Sequence, residues 1–174
     1  MPSDRLNVVP ERRFALFKGN NWELPSDITL VNLADRVLKK KLMDAGWEEG
    51  EAGEFVIFVF HELLINAIAH GNLGIPAETK DIWGEARKRY REGYTDKTVD
   101  VDIQIKRDEI TLTIHDHGEG YDREKVVDGG KDEYKMRTTG RGGIFMEHFA
   151  DSIVRTDKNR KVVVKKNRKN IKMI

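Results

Sequence analysis

Residues 51–70 restrict what this chain can fold into more than any other stretch. Phe55-Val56-Ile57-Phe58-Val59-Phe60 alone could be a buried strand. It continues, however, without a turn signal through His61-Glu62-Leu63-Leu64-Ile65-Asn66-Ala67-Ile68-Ala69, and Gly71 with Asn72 closes it. Strands rarely pass about eight residues, so length favours a largely buried helix. A helix that is apolar on most sides must be covered on most sides, and the rest of the chain has to supply that layer. The longest purely apolar run, Phe55 to Phe60, is six residues, far below the roughly 20 of a spanning helix, so a membrane partner is not expected.

The covering elements show in the hydrophobic period. Pro25-Ser26-Asp27 supplies turn and N-cap chemistry. Leu30, Leu33, Ala34, Val37, Leu38 and Leu42 then recur at helical spacing up to Gly46. Residues 76–92 read as a surface helix with Trp83, Ala86 and Tyr90 on one face. From Val99 the period becomes two: Val99, Val101, Ile103 and Ile105, then Ile110, Leu112 and Ile114, a hairpin with one buried face. Residues 118–140 read as loop and 142–150 as a helix. Ser152–Thr156 and Val162–Lys166 make a last strand pair across Asp157-Lys158-Asn159-Arg160, and one short strand is expected within the N-terminal arm, at 13–18. This order predicts an α+β fold, a two-layer α/β sandwich with helices packed on one face of a mixed, mostly antiparallel sheet.

At 174 residues, 39% apolar and 35% charged, the chain suits one domain with a substantial core. It contains no cysteine, which excludes disulfides, thiolate metal sites and cysteine nucleophiles. No apolar leader follows Met1, and a cytoplasmic location is expected. Residues 155–174 carry nine basic side chains against Asp157 alone, on a chain whose total is +1. A nucleic-acid reading rests only on that tail, because Trp22, Trp47 and Trp83 are too scattered for a stacking platform; a solubilising terminus is the simpler account.

Three segments place polar groups where a core would prefer apolar ones. Glu62 and Asn66 lie four apart on the long helix and so share a face; an acid there costs several kcal/mol unless paired, hydrated or used. Asp116-His117-Gly118-Glu119-Gly120-Tyr121-Asp122 follows a strand, where alternating glycines allow a tight turn and close approach to a ligand. Gly140-Arg141-Gly142-Gly143 opens a helix, whose free N–H groups suit phosphate oxygens. There is no P-loop, because no Gly-Lys-Ser/Thr occurs.

In this order the three segments resemble the ATP-binding fold shared by gyrase, the Hsp90 chaperone, histidine kinases and MutL (the GHKL or Bergerat fold). Glu62-x-x-x-Asn66 matches its first motif, Asp116-x-Gly118-x-Gly120 its second and Gly140-x-Gly142 its third. The runs Glu62 to Asn72, Asp-x-Gly-x-Gly-Tyr-Asp and Gly-Arg-Gly-Gly-Ile-Phe-Met are most similar to bacterial anti-sigma factor serine/threonine kinases of the switch-protein type. The resemblance covers 25–166, with 1–24 as an N-terminal arm, 123–139 as an ATP lid and 167–174 as a basic tail.

The resemblance implies ATP and Mg2+ as cofactors. It makes Asn66 the metal ligand, Glu62 the general base, Asp116 the acceptor for the adenine amine, and Gly118 and Gly120 the turn under the nucleotide. Gly140, Arg141, Gly142 and Gly143 become the phosphate-binding end of the lid, and Gly129-Gly130 its hinge. It further implies a small anti-sigma antagonist protein as phosphoacceptor, a sigma factor as a second partner, and is compatible with a homodimer. The alternative is a non-catalytic ATP-binding module whose lid controls partner binding. Asn159-Arg160-Lys161 stands where many relatives have a Gly-Thr pair that contacts adenine. His61-Glu62 superficially resembles a histidine-kinase phosphoacceptor box, but His61 reads as a packed side chain. His70 and His115 read as structural, and His117 has no distinct role. A zinc-protease motif fails because residue 65 is isoleucine.

Overall fold

A computed structural model describes residues 11–120 and 146–169. The sheet contains β1 (Asn21–Pro25), β2 (Thr98–Ile105), β3 (Glu109–His115), β4 (Ser152–Thr156) and β5 (Lys161–Asn167), in the spatial order β1-β2-β3-β5-β4. All four pairings are antiparallel. The register sets Val101 opposite Ile114 and Leu112 opposite Val164, so the period-two apolar residues of three strands fall on one face.

That face is covered by α2 (Val31–Asp44) and α3 (Glu49–Asn72). A short α1 (Glu11–Phe14) precedes β1, and α4 (Ile82–Arg91) lies between α3 and β2. Asp27 starts α2 through a 3-10 turn, accepting from the Thr29 N–H at 3.0 Å, and Leu33, Ala34, Leu38 and Leu42 bury its inner side. Helix α3 is long and apolar enough to cross a bilayer by composition alone. Its apolar side chains are nevertheless spent on the core: Phe55, Val59, Phe60, Leu63, Leu64 and Ile68 are all buried against the sheet and α2. Burying each such side chain stabilises the fold by about 1.5–3 kcal/mol, so α3 is the centre of the domain.

Helix α3 is not evenly wound. Wide turns occupy Val56–Phe60 and Asn66–Asn72, where the His61 N–H reaches the Val56 carbonyl and the Leu73 N–H reaches that of Ile68. Such i→i+5 turns rotate the helix face and occur often at functional sites. Here they flank His61–Ile65, the segment that carries Glu62.

Two elements differ from expectation. The first strand lies at Asn21–Pro25 rather than at 13–18, and 11–17 are helical. Trp22 and Leu24 alternate into the core, while Phe17 packs edge-on against Trp22 at 5.0 Å, so the apolar run 14–17 sends Phe17 into the core from a helical turn and does not form a strand. The surface helix begins at Ile82, because Asp81 accepts from the Gly84 N–H at 2.8 Å and caps it there. Residues 146–149 are helical, as expected; the start of that helix and the lid at 123–139 lie outside the described residues.

Candidate functional site

The end of α3 and the end of β3 meet tightly. A Cβ on Gly118 would collide with the Gly71 carbonyl, and one on Gly71 would lie 2.6 Å from Asp116 Oδ1. Both glycines therefore let two backbones approach so closely that the Asp116 carboxyl packs directly on the helix. Asp116 is buried, and its Oδ1 accepts the Gly118 N–H at 3.0 Å. Its own N–H donates to the Arg160 carbonyl at 3.0 Å.

Burial raises the Asp116 pKa above the ordinary aspartate value; the Gly118 N–H and the nearby His115, Arg160 and His117 oppose that shift. Oδ2 has no hydrogen-bond partner among the described residues. A carboxylate oxygen without a donor among the described residues, on a buried aspartate, is well suited to accept one from a ligand.

Asn72 holds this junction together, and sequence reasoning gave it only the role of ending the helix. It is buried; its Nδ2 donates to Thr98 O at 2.8 Å and to Ser26 Oγ at 3.0 Å, and its Oδ1 accepts the His117 N–H at 2.8 Å. One amide thus links the first residue of β2 and the residues just beyond β1 and β3 to α3. Ser26 Oγ completes the chain by donating to Lys97 O at 2.6 Å. Helix α4 braces the same end of α3, because Arg89 donates to the Leu73 carbonyl at 2.7 Å while Glu85 holds its Nε at 2.8 Å.

Glu62 and Asn66 project from the middle of α3, one turn apart. Glu62 is half-buried and Asn66 exposed, whereas Leu63, Leu64, Ala67 and Ile68 are buried. Neither polar side chain has a hydrogen-bond partner among the described residues. Beside them His61 Nδ1 lies 2.6 Å from Asp35 Oδ2, and that hydrogen bond raises the His61 pKa above its ordinary value against the effect of burial. His61 is thus a paired residue of the α2–α3 contact. His70 is likewise structural, with Nδ1 donating to the Ile75 carbonyl at 2.6 Å.

The β4–β5 turn closes over the loop after Asp116. Asp157, Lys158 and Asn159 all have left-handed backbones, with φ of 51°, 55° and 66°. Arg160 steadies that turn by reaching Asp157 Oδ1 at 2.6 Å and the Gly118 carbonyl at 3.2 Å. A Cβ on Gly120 would stand 2.7 Å from the Lys158 carbonyl, so this second glycine of the motif lies under the turn. Arg160 therefore anchors the Asp116–Gly120 loop, a role the sequence did not suggest. Gly140, Arg141, Gly142 and Gly143, like the Gly129-Gly130 pair, lie outside the described residues.

The described part of the site thus offers an acid and an amide one turn apart on a rigid helix, and a buried carboxylate at a strand end with one free oxygen. The sequence model of the histidine kinase-like ATPase domain matches residues 24–166. No curated protein matches the chain.

Proposed function

The chain belongs to the histidine kinase-like ATPase domain family, and on that premise we propose that it is an ATP- and Mg2+-dependent serine/threonine protein kinase of anti-sigma type. Its substrate is a serine on a small antagonist protein, and a sigma factor is its second partner. Family membership supports the nucleotide. The kinase assignment is supported by the likeness of its three motif runs to anti-sigma kinases and by one observation above all: Glu62 and Asn66 stand one turn apart, without hydrogen-bond partners among the described residues, beside the buried Leu63, Leu64, Ala67 and Ile68. A half-buried acid beside an accessible amide, neither with a structural partner among the described residues, is placed to meet a ligand, which favours a role for them over a structural accident.

The residues fit the cofactor they would hold. The Asn66 side-chain oxygen is exposed and of the hard type that suits Mg2+. The free Oδ2 of Asp116 suits the exocyclic amine of adenine, while Gly118 and Gly120 let the loop after it pack closely against the Gly71 and Lys158 carbonyls. When bound, MgATP supplies a γ-phosphoryl group whose transfer needs placement and charge neutralisation more than covalent help. Glu62 then orients the acceptor serine and takes the proton from its hydroxyl oxygen. Gly140, Arg141, Gly142 and Gly143 are assigned to the phosphates on sequence grounds.

Calorimetry and phosphate transfer on two variants test this reading. Asn66→Ala is expected to lose the magnesium-dependent part of ATP binding. Glu62→Gln is expected to keep ATP binding but to slow serine phosphorylation by about 100-fold or more. Transfer that survives Glu62→Gln undiminished would remove Glu62 as the general base, whereas ATP binding with no transfer by the unaltered chain would leave a nucleotide-controlled binding module.

A further inference from the structure

The open face of the sheet carries a cluster that the nucleotide site does not use. Side chains alternate along β3, so Asp116 turns towards α3 while His115 and His117 turn the other way. Asp100 of β2 stands directly across from His115. His117 Nε2 lies 2.8 Å from Asp100 Oδ2, and His115 Nε2 lies 2.9 Å from Asp157 Oδ2. The two imidazole rings are 4.7 Å apart. One ligating atom from each of Asp100, His115 and His117 falls within 4.8 Å of the other two.

We propose that Asp100, His115 and His117 bind a divalent transition-metal ion of the zinc type on the back of the sheet. Two imidazoles and a carboxylate are a borderline-soft set that suits zinc and its neighbours rather than magnesium, which prefers oxygen ligands and water. Three protein ligands leave a further position for water. Asp157 is the positioning residue: it holds the His115 ring by a hydrogen bond, the arrangement that commonly orients metal-bound histidines. Arg160 in turn fixes Asp157.

The surroundings favour a cation. Asp100 and His115 border an open groove of about 420 Å³ to which Glu23 and Asp102 add negative charge and Lys161 a single positive one. Exposed histidine–aspartate pairs contribute little stability by themselves. Two such pairs side by side, from two strands, the segment after β3 and a turn, are accordingly poor candidates for scaffolding alone. The site uses residues that family membership leaves without a role.

Titration of the intact, nucleotide-free chain with zinc chloride tests the proposal, followed by calorimetry in a non-chelating buffer. One ion per chain is expected to bind saturably, and both His117→Ala and Asp100→Ala are expected to abolish that site. Asp157→Asn is expected to weaken it by about 10- to 100-fold. His148→Ala removes a histidine on the helical segment beside Phe149, away from the cluster, and is expected to leave binding intact. All four cluster side chains are at least partly exposed, and circular dichroism melts in the absence of metal verify that each variant folds. An unsaturable heat, or a saturable site that persists in folded His117→Ala and Asp100→Ala, overturns the assignment.

Discussion

The side-chain oxygen of Asn72 accepts the His117 N–H at 2.8 Å, so the last turn of α3 grips the residue that follows Asp116. Through its Nδ2 the same amide reaches Thr98 and Ser26. Replacing it strands several buried polar groups, each at a cost of about 1–3 kcal/mol. Asn72→Ala is expected to lower unfolding stability by roughly 2–4 kcal/mol in urea titrations. Asn72→Asp keeps the acceptor for His117 but faces the Thr98 carbonyl with a carboxylate, and it should be no better. A loss below about 0.5 kcal/mol for both would show that the link is dispensable.

Gly71 and Gly118 test the close approach. Gly118→Ala places a methyl against backbone that cannot yield cheaply, and a loss of about 2–3 kcal/mol is expected. Gly71→Ala meets a side chain instead, so it should displace Asp116 and weaken ATP binding more than it lowers the melting temperature. Equal effects of the two substitutions on stability and on binding would contradict this division.

Asp116 gives a pH signature. Burial raises its folded pKa, so the native state is favoured while the carboxyl is protonated and loses that advantage as pH rises through the folded value. Asp116→Asn carries no such charge. The stability of the variant relative to the wild type should therefore increase from acid towards neutral pH and then level off, while ATP affinity falls. Urea midpoints of both proteins across that range, with calorimetry at neutral pH, check both halves.

His61 behaves in the opposite direction, because its raised pKa comes from a favourable partner. The His61–Asp35 pair contributes fully below the ordinary histidine value and is lost as pH rises through the folded His61 pKa. Asp35→Asn should then cost on the order of 1 kcal/mol near pH 6 and clearly less near pH 9. A pH-independent cost would mean that packing, not charge, is what Asp35 provides.

Much of this was legible in one dimension, for particular reasons. Helix α3 declared itself by the length of its apolar stretch, and β2 and β3 by alternation, because both signals are local. The first strand was misplaced because Phe14-Ala15-Leu16-Phe17 is more apolar than the Trp22 and Leu24 pattern that forms it. Glu62, Asn66 and Asp116 stood out because each offends its apolar or glycine-rich setting. Asn72 did not, since an asparagine after a glycine at a helix end looks like an ordinary stop. Its role depends on Ser26, Thr98 and His117, which only the fold brings to it. Arg160 and the Asp100–His115–His117 cluster were hidden likewise, because strand register and the β4–β5 turn create those contacts.

The sheet order places β5, the last of the described strands, between β3 and β4. During synthesis β3 must therefore wait with one edge bare until residues 161–167 emerge, and the Arg160 anchor of the Asp116 loop arrives at the same moment. An unpaired strand edge is a template for association with other chains. A ribosome that stalls after β4 has already displayed Glu62, Asn66 and Asp116, yet its product would hold an incomplete pocket beside an adhesive edge. Competence for ATP and protection from aggregation are thus acquired together, when residues 160–167 emerge.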